Sequence, residues 1–394
     1  MAVEGSMAKF LVGRSRIKYA VLDQLFRPIH IPQDRMVMYI DMSSILHRLY
    51  RKGDLDMIYS VSPEIVTKDL VLSILNTVGH YRRYIMTRLG LTNDIIMIYN
   101  RRVPDFQGLL FPKYRSKWYD VIDPKNPEFG PLTQVVETAY GFIESIVPYF
   151  EGIYCMDAQG VDDYTVIQHL KNSKYYGEGW YHLIFSRNVL PTQLVGPDCS
   201  VLYNKRDDSY LISNFNLYTD GLLRGRKTGA SENLSANLLP FIWCMGGCSD
   251  IELKHTKYSS GISDMVKKLN PLVDQGLIRN DMSIQAFLKE LSNHMPDHKT
   301  ELRSLPEELI NRHRIVDLSL SARAMTQSQE IDLWKNHVDL FDQNALEDIN
   351  ERLMDIDSDG EIIDIDNLNM SNPCGEFRDS TLGFGDYFIS NFSF

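Results

Sequence analysis

Met36 to Ile40 is an unbroken apolar run that ends on a carboxylate, Asp41. It is too short for a helix that buries one stripe, and it predicts a strand covered on both faces. Pro63 to Leu89 has a different rhythm. Ile65, Leu70, Leu72, Leu75, Val78, Tyr81, Ile85 and Leu89 recur at helical spacing and predict a long amphipathic helix. Asp94 to Tyr99, Gly152 to Met156 and His182 to Phe185 predict further strands, separated by helical patterns at 132–149 and 162–170. Val201 to Tyr203 and Tyr210 to Ile212 flank Arg206-Asp207-Asp208 and predict a hairpin. Arg101 to Pro131, rich in basic, aromatic, Pro and Gly residues, predicts an irregular excursion. From Ala236 the pattern is helical.

Strands alternating with helices predict an α/β fold, with a mainly parallel central sheet flanked by helices and a helical C-terminal region. The expected divisions are an N-terminal segment (1–35), an α/β core (36–235) containing the basic segment 101–131, a helical region (236–325), and a C-terminal piece (326–394). Met1 to Ser6 precede a second methionine, Met7, and read as an addition before the natural start. In a parallel sheet, polar residues at the carboxyl ends of the strands form the site. Asp41, Asn100, Ser186 and Asn188 all fall just after predicted strands.

Composition narrows the class without naming a function. The 394 residues carry a net charge of −11, which excludes a uniformly basic coat. The charge is uneven: Lys9 to Lys52 and Arg101 to Lys117 are basic, whereas Asp339 to Asp366 is strongly acidic. A local basic face can still hold phosphate. No apolar stretch approaches membrane-span length, so no membrane partner is expected. The five cysteines are scattered and odd in number, and read as reduced thiols in a cytoplasmic setting.

The acids form an ordered set. After Asp41 come Gly160-Val161-Asp162-Asp163, Ser186-Arg187-Asn188-Val189-Leu190 with Gln193-Leu194, and Gly246-Gly247-Cys248-Ser249-Asp250. Over roughly Met36 to Leu269, these motifs resemble the 5′ nuclease superfamily, whose flap endonucleases and PIN-like 5′-3′ exonucleases act on DNA with divalent metal ions. The divergence suggests a phage member. The resemblance implies that Asp41, Asp162 and Asp163 gather around one Mg²⁺ or Mn²⁺ ion, with Asp250 left from a second site. Carboxylates would be expected where Asn100, Gly160, Asn188, Leu190 and Gly247 stand. Two ions about 4 Å apart clamp the attacking and leaving oxygens most effectively, so loss of the second site implies little or no hydrolysis. On chemistry alone, Asp162 and Asp163 could equally be helix N-terminal acids.

Parts that would hold DNA survive in the pattern. Arg101, Arg102, Lys113, Arg115 and Lys117 interleave with Phe106, Phe111, Tyr114, Trp118 and Tyr119, a mixture suited to single strands. Lys113-Tyr114-Arg115 loosely resembles the family's basic arch. Ser259 to Leu269 resembles its helix–turn–helix backbone grip, which would assign phosphate contacts to Gly261, Ser263, Lys267 and Lys268; the bland alternative is a helix cap with a solvated lysine face. Asp355, Asp357, Asp359, Glu361 and Asp366 follow EF-hand spacing and are a candidate Ca²⁺ loop, although the twelfth residue is Asp rather than Glu. The aromatic run 382–394 looks like a tail that docks on a sliding clamp or polymerase, or on its own domain. The expectation is a DNA-binding protein on a degenerate 5′ nuclease fold, for DNA with 5′ ends, flaps or single-stranded branches. The alternatives are an active 5′-3′ exonuclease and an adaptor acting through its tail.

Overall fold

A computed structural model describes residues 16–213 and 236–325, apart from 48, 51, 148, 149, 159, 206, 207 and 280. The amphipathic helix that the spacing of Ile331, Trp334, Val338, Phe341, Ile349 and Leu353 predicts, the EF-hand-like loop and the aromatic tail lie outside the described residues.

Six strands form one sheet: β1 (Arg35–Asp41), β2 (Thr92–Tyr99), β3 (Ile153–Asp157), β4 (Trp180–Ser186), β5 (Cys199–Lys205) and β6 (Asp208–Ile212). Their order is β3-β2-β1-β4-β5-β6. Every neighbouring pair is parallel except β5 and β6, which are antiparallel. The fold is therefore α/β with a mainly parallel sheet, as the alternating pattern implies.

Strand alternation divides the interior into two cores. Met36, Met38 and Ile40 of β1 join the Pro63–Tyr84 and Gly130–Ile146 helices on one face. Val37 and Tyr39 join the Asp163–Lys171 helix and the apolar residues of Leu239–Gly246 and Ile262–Asp274 on the other. Residues after Ala236 thus complete a core of the sheet itself.

Local details depart from the periodicity in two places. The long helix ends at Tyr84 and continues as a π turn, Ile85–Leu89, closed by Gly90 in the left-handed region at φ 68°. The segment 101–131, read as irregular, contains two short helices, Asp105–Leu110 and Ser116–Val121. It is packed down on the body, with Gln107 donating to Ser321 at 3.0 Å and Tyr114 and Tyr119 buried. Among the described residues, no helix is long and apolar enough to cross a membrane, and Cys155, Cys199, Cys244 and Cys248 are free thiols.

Candidate functional site at the strand ends

Connections from β1 run to β2 on one side, while β4 lies on the other. The strand order therefore reverses between β1 and β4, which is where parallel sheets place their sites. Asp41 ends β1 and Ser186 ends β4. The Ser186 hydroxyl donates to Asp41 at 3.0 Å across that switch point.

Asp41 is fully buried and heavily solvated by protein. It caps the Met42–Leu46 helix by accepting from Ser44 N at 3.3 Å. Ser43 Oγ (2.5 Å), Ser44 Oγ (2.6 Å) and Tyr164 Oη (2.7 Å) also donate to it. With Ser186, five donors converge on a carboxylate that offers about four lone-pair sites.

Asp162 and Asp163 open the next helix in the same layer. Asp162 is its N-cap, accepting from Tyr164 N at 3.1 Å, and it also takes the Tyr114 hydroxyl at 2.8 Å. The capping role open from the sequence is therefore filled by Asp162. Asp163 instead faces a buried guanidinium: Arg115 Nη1 lies 2.6 Å from Asp163 and 3.5 Å from Asp162. Arg115 Nη2 donates to Ser43 Oγ at 3.2 Å, whose own proton goes to Asp41. One guanidinium thus reaches all three acids, two directly and one through a hydroxyl.

Burial dominates the protonation chemistry here. It raises the Asp163 carboxyl well above its usual range, the Arg115 charge opposes that rise, and Asp162 and Asp41 add to it. Burial would lower Arg115, but Asp163, with the Tyr119 and Tyr164 rings and Asp162, outweighs it and holds the guanidinium charged. Burial also raises Tyr164, Tyr114 and Tyr119, so these hydroxyls remain donors.

At the other motif positions the residues present have roles of their own. Asn188 donates to the Tyr164 hydroxyl. Asn100 donates to Val161 O at 2.8 Å. Leu190 is buried in the apolar core. Gly160 has φ 81°, and a Cβ there would lie 2.5 Å from Arg102 Nη2. Gly247 has φ 84°, and a Cβ there would meet His255 N at 2.6 Å and Leu253 O at 2.7 Å. Asp250 is nearby but engaged, accepting from Val189 N at 2.5 Å.

A divalent ion does not fit the acids as they stand. The Asp41 oxygens are saturated by five donors, and Arg115 lies against Asp162 and Asp163. Beside Asp163 there is a cavity of about 20 Å³, lined also by Ser43, Asn100 and Arg101, room for about one water. Among the described residues, no group of three or more His, Cys, Asp or Glu side chains is placed to hold a metal. A larger cleft of about 1000 Å³, lined by Gln193, His313 and Arg314 among others, shares no residue with this centre.

The basic residues are divided. Arg115, read as a DNA contact, is buried among the acids, because three carboxylates inside the protein need a counter-charge more than the surface needs a cation. Arg101 is committed to Glu137 (2.9 Å), Glu144 (3.2 Å) and Asp157 (3.6 Å), and Arg102 to Asp105 (3.3 Å). Lys113 and Lys117 are exposed. Glu252 accepts from Lys117 N at 2.8 Å and from Ser116 Oγ at 3.1 Å. It thereby ties the Lys113–Lys117 segment to the loop that carries exposed Lys254 and Lys257.

Beyond that loop, Gly261 caps the Ile262–Asp274 helix with φ 137°. A Cβ on Gly246 would lie 2.9 Å from Ile262 Cα, so small residues do bring two backbones together here. Lys267 is exposed, Ser263 is half-buried, and Lys268 is drawn to Asp264 (2.8 Å) and Tyr258 O (2.8 Å).

The sequence reading missed Ser43, Ser44, Tyr164 and Glu252. The Asp-x-Ser-Ser run after β1 is a detectable capping signal. Tyr164 and Glu252 carry no local signal.

No protein-family model and no curated protein matches the chain. Among solved structures it is similar to a bacteriophage T5 flap endonuclease pseudo-enzyme in a product complex with DNA and metal ions. The identity is 11%, the TM-score 0.47, and the match covers 82% of this chain and 99% of that one. It is also similar to a T5 protein co-crystallised with metal ions (11% identity, TM-score 0.45, 82% and 100% covered). A third match is a T5 5′-exonuclease with bound zinc (9% identity, TM-score 0.45, 82% and 99% covered). Likeness at this level carries no chemistry across, and the functional reading rests on the residues of this chain.

Proposed function

We propose that this chain is a DNA-binding protein, built on a 5′ nuclease-like arrangement of motifs, whose acidic centre no longer works as a two-metal hydrolase. The observation that carries the reading is Arg115 buried against Asp162 and Asp163 while Lys113 and Lys117, from the same turn, remain exposed. The order of acidic motifs along the chain supports a nuclease ancestry. Lys113, Lys117, Lys254 and Lys267 supply the cations for phosphate contact, whereas Lys257 is paired with Glu301. Gly261 and Ser263 at the start of the Ile262–Asp274 helix, with Lys268 beside them, supply the backbone grip that the motif resemblance implies. The substrate class is DNA with a 5′ end, flap or single-stranded branch, and the setting is replication, recombination or transcription.

The test is a labelled 5′-flap duplex with the full chain in Mg²⁺ or Mn²⁺, scored for binding and cleavage across a salt series. Expected are no cleavage and an affinity that falls steeply with salt. Lys113→Ala and Lys117→Ala should each reduce the salt slope by about 1. Metal-dependent cleavage abolished by Asp41→Ala would establish the enzyme instead. No salt-sensitive binding to any branched or single-stranded probe would refute the reading.

A further inference from the structure

Three buried carboxylates at one strand-end crevice need a counter-charge, since an unpaired buried ion is far costlier than a paired one. Arg115 supplies it through unusual geometry. Its backbone lies in the left-handed region at φ 49° and ψ 32°, which is uncommon for a residue with a side chain. The conformation is held from both flanks: Tyr114 donates to Asp162, and Glu252 receives Ser116 and Lys117. The guanidinium is 4% exposed and lies 5.5 Å from the centroid of the Tyr164 ring and 5.9 Å from that of Tyr119. It touches Asp162 and Asp163 and reaches Asp41 through Ser43.

We propose that the Arg115 guanidinium is the resident cation of this centre, pairing with Asp162 and Asp163 directly and with Asp41 through Ser43, in place of a divalent metal and closing the centre to metal. A divalent ion and a guanidinium cannot share these oxygens, because both require the same lone pairs and the adjoining space holds about one water. The acids are then kept for architecture. They anchor the turn whose outer residues are Lys113 and Lys117. The inference concerns the centre alone and does not rest on DNA binding.

The experiment is a Mn²⁺ titration of the full chain followed by the EPR signal of the free ion, with thermal melts in Mn²⁺ and in EDTA. Arg115→Asn removes the cation with a residue that tolerates the left-handed conformation. The wild type should show no Mn²⁺ binding, and no rise in melting temperature in Mn²⁺ over EDTA, that Asp163→Asn removes. Arg115→Asn should melt lower, gain at least about tenfold in Mn²⁺ affinity, and recover part of its melting temperature in Mn²⁺. Asp163→Asn added to that variant should abolish the gain.

Wild-type Mn²⁺ binding that Asp163→Asn removes would overturn the proposal, since the metal would then displace the arginine. So would an Arg115→Asn protein of native stability that ignores Mn²⁺. Where Arg115→Asn does not fold, the wild-type titration decides together with Arg115→Lys. A folded Arg115→Lys protein with no Mn²⁺ binding that Asp163→Asn removes supports the resident cation, and Mn²⁺ binding by either protein that Asp163→Asn removes refutes it. Failure of DNA binding with these metal results intact would refute the proposed function alone.

Discussion

Restoring a carboxylate at position 247 should damage the fold rather than revive a metal site. Gly247 sits at φ 84° and ψ 161°, a region essentially reserved for glycine, where another residue costs on the order of 1–3 kcal/mol. A Cβ would also lie 2.6 Å from His255 N, 2.7 Å from Leu253 O and 2.8 Å from Lys254 C. All three are main-chain atoms, so no side chain can swing aside. Overpacking of this kind adds about 1–3 kcal/mol. Gly247→Ala should therefore lose about 2–6 kcal/mol, and Gly247→Asp more, since it also buries a charge. Guanidinium denaturation reads the loss as a lower midpoint. Gly141→Ala is the control: exposed within the Gly130–Ile146 helix and with nothing within 4 Å of its Cβ, it should gain about 0.5–1 kcal/mol. Gly247→Ala within about 1 kcal/mol of wild type would refute the reasoning and make the absent acid a simple side-chain loss.

Asp163→Ala should be among the most destabilising substitutions in the centre, by about 3–5 kcal/mol, because it strips a buried guanidinium of its 2.6 Å partner; an unchanged denaturation midpoint would mean that Arg115 does not reside there. Asp94 provides a pH test. Burial raises its carboxyl from 3.8 to about 6, against the lowering effects of the Tyr176 hydroxyl and Arg82. Between those values the folded state holds a proton that the unfolded state has released. Stability contributed by Asp94 is therefore full below about pH 4 and is lost as pH rises through about 6. The shift of about two units corresponds to no more than about 3 kcal/mol. Denaturation of wild type and Asp94→Asn from pH 4 to 7 should show this loss only in the wild type, and parallel curves would contradict it.

Much of this molecule could be read from local pattern. The five parallel strands, their flanking helices and the β5–β6 hairpin follow from alternation and burial, which depend on near neighbours in sequence. The placement of Asp41, Asn100 and Ser186 at strand ends follows as well, since a buried apolar run must stop where a polar side chain begins. The 101–131 segment was less legible. Its composition is that of an open loop, yet Gln107 is held by Ser321, more than two hundred residues away in sequence.

By itself, then, the sequence determined the strands and their mainly parallel class, the order of the acidic motifs and the absence of several acids from them. Only the tertiary structure decided what the remaining acids do. Arg115 reads as one more cation in a basic run, because nothing near it in sequence distinguishes it from Lys113 or Lys117. The chain turn at 113–116 points it inward to Asp162 and Asp163, while leaving the two lysines exposed. Gly247 likewise reads as a missing carboxylate until the main chain of residues 253–255 is seen to fill its side-chain space. Charge pairing and steric exclusion depend on distance in space, and distance along the chain does not encode them.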